Sequence, residues 1–196
     1  MQVKSLIFSL LVFNSFLCFS QGNSIEMFNQ QKQQINRNGM LVLGGWSISN
    51  IAYNAIAGAN ATGSKQYFHQ MNLIWGGINL GLSTIGFLGS KKKLVANTGQ
   101  TFRQQSIVEK TFIFNAGLDV AYIVGGLYLK EKANNKPMDY DRLKGYGQSI
   151  IVQGAALLLF DGIMFAVHTH HGKKLYNQTG LQLAVTGNGI GFVLPL

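Results

Sequence analysis

Charge is almost absent from four long stretches of this chain. Residues 39–59, 67–89, 111–129 and 146–168 hold Asp119 and Asp161 and no other Asp, Glu, Lys or Arg. A helix that crosses a bilayer takes roughly 20 mostly apolar residues, so each stretch is of spanning length. A surface helix of a soluble bundle would carry a charged stripe, and none of the four does. Tyr67, Phe68, Phe112, Tyr128 and Tyr146 stand near the stretch ends, where amphipathic rings suit a membrane interface. The pattern predicts an all-α membrane protein with a four-helix transmembrane bundle over residues 39–168.

The stretches form two related pairs. Asn50-Ile51-Ala52-Tyr53 aligns on Asp119-Val120-Ala121-Tyr122 without a gap, and Gly76, Ile85 and Phe87 fall on Gly154, Ile163 and Phe165. This predicts two pseudo-repeated helical hairpins. The first turns at residues 59–66. The second turns over a longer loop holding Lys130, Lys132, Lys136, Pro137 and Arg142, and a basic linker with Lys91, Lys92, Lys93, Arg103 and Lys110 joins the two. Ahead of the bundle, Asn23 followed by Glu26 reads as a capping box opening a polar juxtamembrane helix over residues 21–38. Ile25, Phe28 and Ile35 give that helix a weak apolar stripe. Behind the bundle, residues 169–196 read as an extramembrane tail. Its Gly180–Leu196 segment alternates, with Asn188-Gly189 at a turn position, and predicts a short C-terminal β-hairpin. The four stretches are too long for the strands of a membrane barrel, which run about 9–11 residues.

Residues 1–20 belong to another category. A basic start at Met1–Lys4, an apolar run at Ser5–Phe19 and small residues at Cys18 and Ser20 predict a signal peptide cleaved before Gln21. Leu17 stands where a lipoprotein acceptor needs a small residue, so Cys18 is not expected to carry lipid. Loss of the leader removes the single cysteine, and with it disulfides, thiolate nucleophiles and Cys-based zinc sites. The remainder suits one domain. The net charge of +9 flanks the spans, so lipid head groups rather than nucleic acid are the implied partner. The leader places the N-terminus and tail in the periplasm, although the balance of Lys and Arg across the loops favours the opposite orientation.

Depth along the spans points to candidate chemistry. Asp119 lies eight residues in from Thr111 and Asp161 seven before His168, so on antiparallel helices both sit roughly 10–12 Å from one face. Asn50 and Asn79 reach a similar depth in the first hairpin. The expectation is amide paired with amide there, and acid paired with acid in the second hairpin. No Lys or Arg lies within a span, so the acids must share a proton, bind a cation or bond to amides such as Asn115 or Gln153. Such a polar layer either handles protons or cations, or acts as interhelical glue. Gly77 and Gly81, and Gly117, Ala121 and Gly125, are small residues at spacing four and predict close helix packing. His168, His170 and His171 cluster at the end of the last span. With no adjacent acid or Cys they make a weak metal candidate, and a solvated helix end is the expectation. No cofactor is implied.

No serine elbow, HExxH or phosphate loop is present, and Gly187-Asn188-Gly189-Ile190-Gly191 is not followed by a helix. The Asn60-Ala61-Thr62 and Asn177-Gln178-Thr179 sequons carry weight only in a eukaryotic secretory route, whereas a leader ending in Phe19-Ser20-Gln21 is bacterial in style. Together with the four spans and the Thr186-Gly187-Asn188-Gly189 tail, it resembles an uncharacterised family of small membrane proteins from Bacteroidota. The resemblance implies a multi-pass protein of the bacterial inner membrane and no particular activity. The residues lead to a non-enzymatic structural or interaction module, associating with itself or a membrane partner. The alternative is a small transporter-like module that handles a proton or cation at Asp119 and Asp161.

Overall fold

A computed structural model describes the backbone of residues 2–90, 97–178, 182–186 and 189–193, and the side chains of residues 25–90 and 97–176. Four long helices dominate: α1 (Gln2–Gly58), α2 (Gly63–Gly89), α3 (Thr98–Asn134) and α4 (Tyr140–Gln178). A 3-10 turn, Pro137–Asp139, leads into α4. Two short strands, β1 (Gln182–Thr186) and β2 (Gly189–Val193), run antiparallel with Gln182 opposite Val193. Their side chains, and the turn expected at Asn188, lie outside the described residues.

Three of the four helical segments are long and apolar enough to cross a membrane: Gly63–Gly89, Thr98–Asn134 and Pro137–Tyr176. The fourth sequence stretch, residues 39–59, lies within α1 and does not join them. Ser47, Ser49, Asn50 and Asn54 dilute its apolar run.

The helices outrun the sequence boundaries. α1 passes without a break from Gln2 through the polar segment and the first apolar stretch to Gly58, so Asn23 and Glu26 do not open a helix. No proline interrupts residues 2–58, and nothing else there stops a helix once it has started. The basic linker is already helical from Thr98, where Asn97 caps α3 by accepting from the Gln100 amide at 3.1 Å. The long second loop contracts to Asn135, Lys136 and the 3-10 turn. In the first connection Gly63 takes φ +60°, a conformation that glycine reaches without strain.

α1 packs along α2, α3 along α4, and α2 also against α4, whereas α2 and α3 do not pair. The aligned glycines of the two hairpins do equivalent work. A Cβ on Gly76 would meet Ile51 Cγ1 at 2.6 Å with Asn50 close by, and one on Gly154 would meet the Asp119 carbonyl at 3.0 Å. Asn50 and Asp119 are themselves aligned positions, so the repeat extends to local packing.

The glycines chosen from spacing are not the ones that pack. At Gly77, Gly81, Gly117 and Gly125 an added Cβ would have no neighbour within 4 Å, and Ala121 is exposed. One residue is a rotation of about 100° on a helix. The α2 contact face runs Asn72, Gly76, Asn79, Ser83 and the α3 face runs Phe112, Ala116, Asp119, Gly126, which turns the predicted stripes outwards.

Beyond the apolar stretches, α1, α3 and α4 continue together as a small head. Ile25, Phe28 and Leu175 are buried there with Phe102 against them. Hydrogen bonds join the three helices: Asn29 Nδ2 donates to Thr101 Oγ1 at 2.8 Å and Lys32 Nζ to Gln104 Oε1 at 3.0 Å. Gln105 Nε2 donates to the His168 carbonyl at 2.7 Å.

Candidate functional site

The gap left between α2 and α3 is a cavity of about 330 Å³. Ile78 and Leu82 of α2 and Leu118 of α3 line it on the apolar side, Met40 and Leu43 of α1 and Leu157 of α4 close its back, and Asn79, Asn115, Asp119 and Asp161 supply its polar wall. Trp75 and Tyr122 meet edge to face across the gap, ring centroids 5.1 Å apart. They brace α2 against α3 where the backbones do not touch.

Asp119 of α3 and Asp161 of α4 line the same cavity. Their carboxyls are close enough to interact, and Asn115 lines the same cavity beside them. Both side chains are buried, as is Asn79 at 1% exposure. Neither the nitrogen nor the oxygen of the Asn79 amide has a hydrogen-bond partner among the described residues, and the same holds for Oδ2 of Asp119 and Nε1 of Trp75. The site therefore presents acceptors and donors together in a space that holds several waters or a small ligand.

The other amides are arranged differently from the expectation. Asn79 faces the acids instead of Asn50. Asn50 is half-buried on the α1–α2 seam, where it takes a hydrogen bond from Asn54 Nδ2 at 3.3 Å. Asn54 Oδ1 in turn lies 2.7 Å from Nδ1 of His69. Gln153 does not serve the acids either. Its Nε2 donates to Asn72 Oδ1 at 2.6 Å, and Asn72 Nδ2 donates to the Phe68 carbonyl at 3.0 Å. Asn72 was legible by the same reasoning that marks Asn79, since it lies on the same helix face two turns earlier.

The histidines do not converge. His171 stacks on Phe28 with ring centroids 4.0 Å apart and places Nε2 3.1 Å from the Phe28 carbonyl. His168 is fully buried and stacks on Phe112, while His170 is exposed. The expected solvated helix end is instead the interior of the head, because α4 continues ten residues past His168 to Gln178. Among the described residues no three His, Cys, Asp or Glu side chains are grouped as metal ligands. Both ring nitrogens of His168 lack hydrogen-bond partners among those residues. A phenyl ring removes that deficit but is slightly larger than the imidazole, so His168→Phe is expected to change stability by no more than about 1 kcal/mol. Thermal unfolding in detergent checks this. A large loss of stability, or loss of bound zinc or copper by elemental analysis, would instead give the imidazole a partner.

The protein is thus a bundle of four long helices, three of membrane-crossing length, with two carboxyls and an amide unbonded among the described residues around an open cleft. Residues 42–162 match the model of a family of unknown function (DUF6992), and the chain belongs to that family. The match covers the middle of the bundle and leaves out residues 1–41 and 163–196. No curated protein and no solved structure matches the chain.

Proposed function

We propose that this chain is a multi-pass integral membrane protein in which Asp119 and Asp161 bind a proton or cation, as a small transporter-like module. The observation that carries this reading is the unbonded amide of Asn79 beside the acid pair. Polar side chains that serve as glue bond one another through at least one atom, as Gln153 and Asn72 do, whereas neither atom of the Asn79 amide is matched among the described residues. A buried amide with both atoms unpaired costs free energy unless something else meets it. Intramembrane acids facing a cavity are the usual place for a proton or ion site.

In this reading the Leu41–Gly58 part of α1 is the fourth span, since it runs along α2 and shares its depth. The leader directs the chain to a bacterial inner membrane, with the N-terminus and tail on the periplasmic side, the tail hairpin outside the bilayer, and no reaction catalysed. A scaffold role is the second reading. It draws on the outward-facing Gly77, Gly81, Gly117 and Gly125, which would let a second copy approach closely.

Reconstitution separates the two. Proteoliposomes under an imposed potential are expected to pass protons, sodium or potassium above protein-free vesicles, read by entrapped dyes. Asp119→Asn and Asp161→Asn are each expected to abolish that flux while the protein stays folded. Absence of flux for all three ions, with both variants losing stability or assembly, would leave the scaffold role standing and remove the transport reading.

A further inference from the structure

A second cavity, of about 620 Å³, lies between α1, the end of α2 and the start of α3. It adjoins the acid cavity through Met40, Thr111 and Phe112, which line both. Its chemistry is opposite in sign. Lys32 lies in its wall at 5% exposure, and among the described residues its ammonium has one hydrogen bond, to Gln104 Oε1 at 3.0 Å. No carboxylate comes within salt-bridge distance of it among those residues, where Arg142–Asp139 is the ion pair formed. The remaining polar lining includes Asn36 and Ser90, uncharged side chains, and the inner wall is apolar through Ile107 and Phe112.

A buried ammonium whose one bond among the described residues goes to a neutral amide is costly, by several kcal/mol if it stays uncompensated. The burial itself holds the Lys32 ammonium below its ordinary range. The level of the cavity narrows the choice of anion. Ser90 caps the end of α2, and Lys32 sits two turns before the apolar part of α1, so the charged end is at a helix-end, interfacial height while Ile107 and Phe112 lead inwards. A phosphate there would bond to Lys32, and an attached acyl chain would follow the apolar wall.

We propose that this cavity binds a phosphate group at Lys32, carried by a phospholipid head group or by free phosphate. The site is independent of the acid pair. The full-length protein, purified in a neutral detergent, is titrated with dioleoyl phosphatidylglycerol and followed by native mass spectrometry, then with inorganic phosphate and followed by calorimetry. One lipid bound per chain, about tenfold more weakly in Lys32→Gln and near wild-type in Lys32→Arg, is expected for a head-group site. Binding of inorganic phosphate with the same dependence assigns the soluble source instead. Lys110→Gln, which removes an exposed lysine, is expected to leave both titrations unchanged. If Lys32→Gln cannot be purified, Asn36→Leu narrows the cavity without touching the charge and carries the same expectation. Equal binding by wild-type and Lys32→Gln, or equal weakening by Lys110→Gln, overturns the proposal.

Discussion

Gly126→Ala is expected to destabilise the bundle by about 1–3 kcal/mol, although it adds a single methyl group. The new Cβ would lie 2.6 Å from the Gly147 carbonyl oxygen and 3.1 Å from the Ile151 amide nitrogen. Both are backbone atoms of α4, so no side chain can rotate away, and the helices themselves must separate. Gly147→Ala meets the reciprocal contact at the Gly126 carbonyl and should cost about as much as Gly126→Ala. Gly117→Ala on the same helix is the control. It adds its methyl to open space, and alanine is the better helix former by roughly 1 kcal/mol, so it should be neutral or slightly stabilising. Unfolding in mixed detergent measures all three. If Gly117→Ala proves as costly as Gly126→Ala, the outward stripe is in contact with something, and a second copy of the chain becomes the first candidate.

The second large effect concerns Gln153 and Asn72. Gln153→Leu leaves Asn72 Oδ1 buried with no donor, and Asn72→Leu strands Gln153 Nε2 in the same way. Each single change is expected to cost about 1–3 kcal/mol, the penalty of an unmet buried polar group. The double variant removes both groups at once and should cost clearly less than the sum, giving a coupling of about 0.5–3 kcal/mol. Additive costs in this cycle would mean that the 2.6 Å contact contributes nothing to holding α2 on α4.

Sequence reasoning reached the acid pair for a physical reason. Rise per residue is fixed in a helix, so depth can be counted from a span's end, and two acids at one depth on neighbouring antiparallel helices had little room to avoid each other. What depth cannot supply is azimuth. Asn50 and Asn79 match in depth, yet Asn79 turns towards α3 and Asn50 stays on the α1–α2 seam. The glycine stripes failed on the same coordinate, missing the contact face by one residue. Gly126 and Gly147 were available as small residues, but nothing in the sequence says that two helices meet backbone to backbone there. Hydropathy also stopped at the apolar boundaries. The head lay beyond them because its helices bury Asn29, Thr101, Gln105 and His168, residue types that a polarity pattern assigns to solvent.

The close fit of α3 on α4 also determines which parts of the molecule can move. Carbonyls and amides pressed together at Gly126 and Gly147, and again at Asp119 and Gly154, cannot slide without collision, so α3 and α4 travel as one piece and carry the acid pair with them. Nothing comparable ties α3 to α2, where two aromatic rings bridge an open gap. α2 is tied to α4 in its turn, since a Cβ on Gly145 would collide with the Ser64 carbonyl and lie 2.8 Å from the Phe68 amide nitrogen. Both hairpins are thus pinned on α4, and the seam left without such backbone contact is the one that Trp75 and Tyr122 bridge.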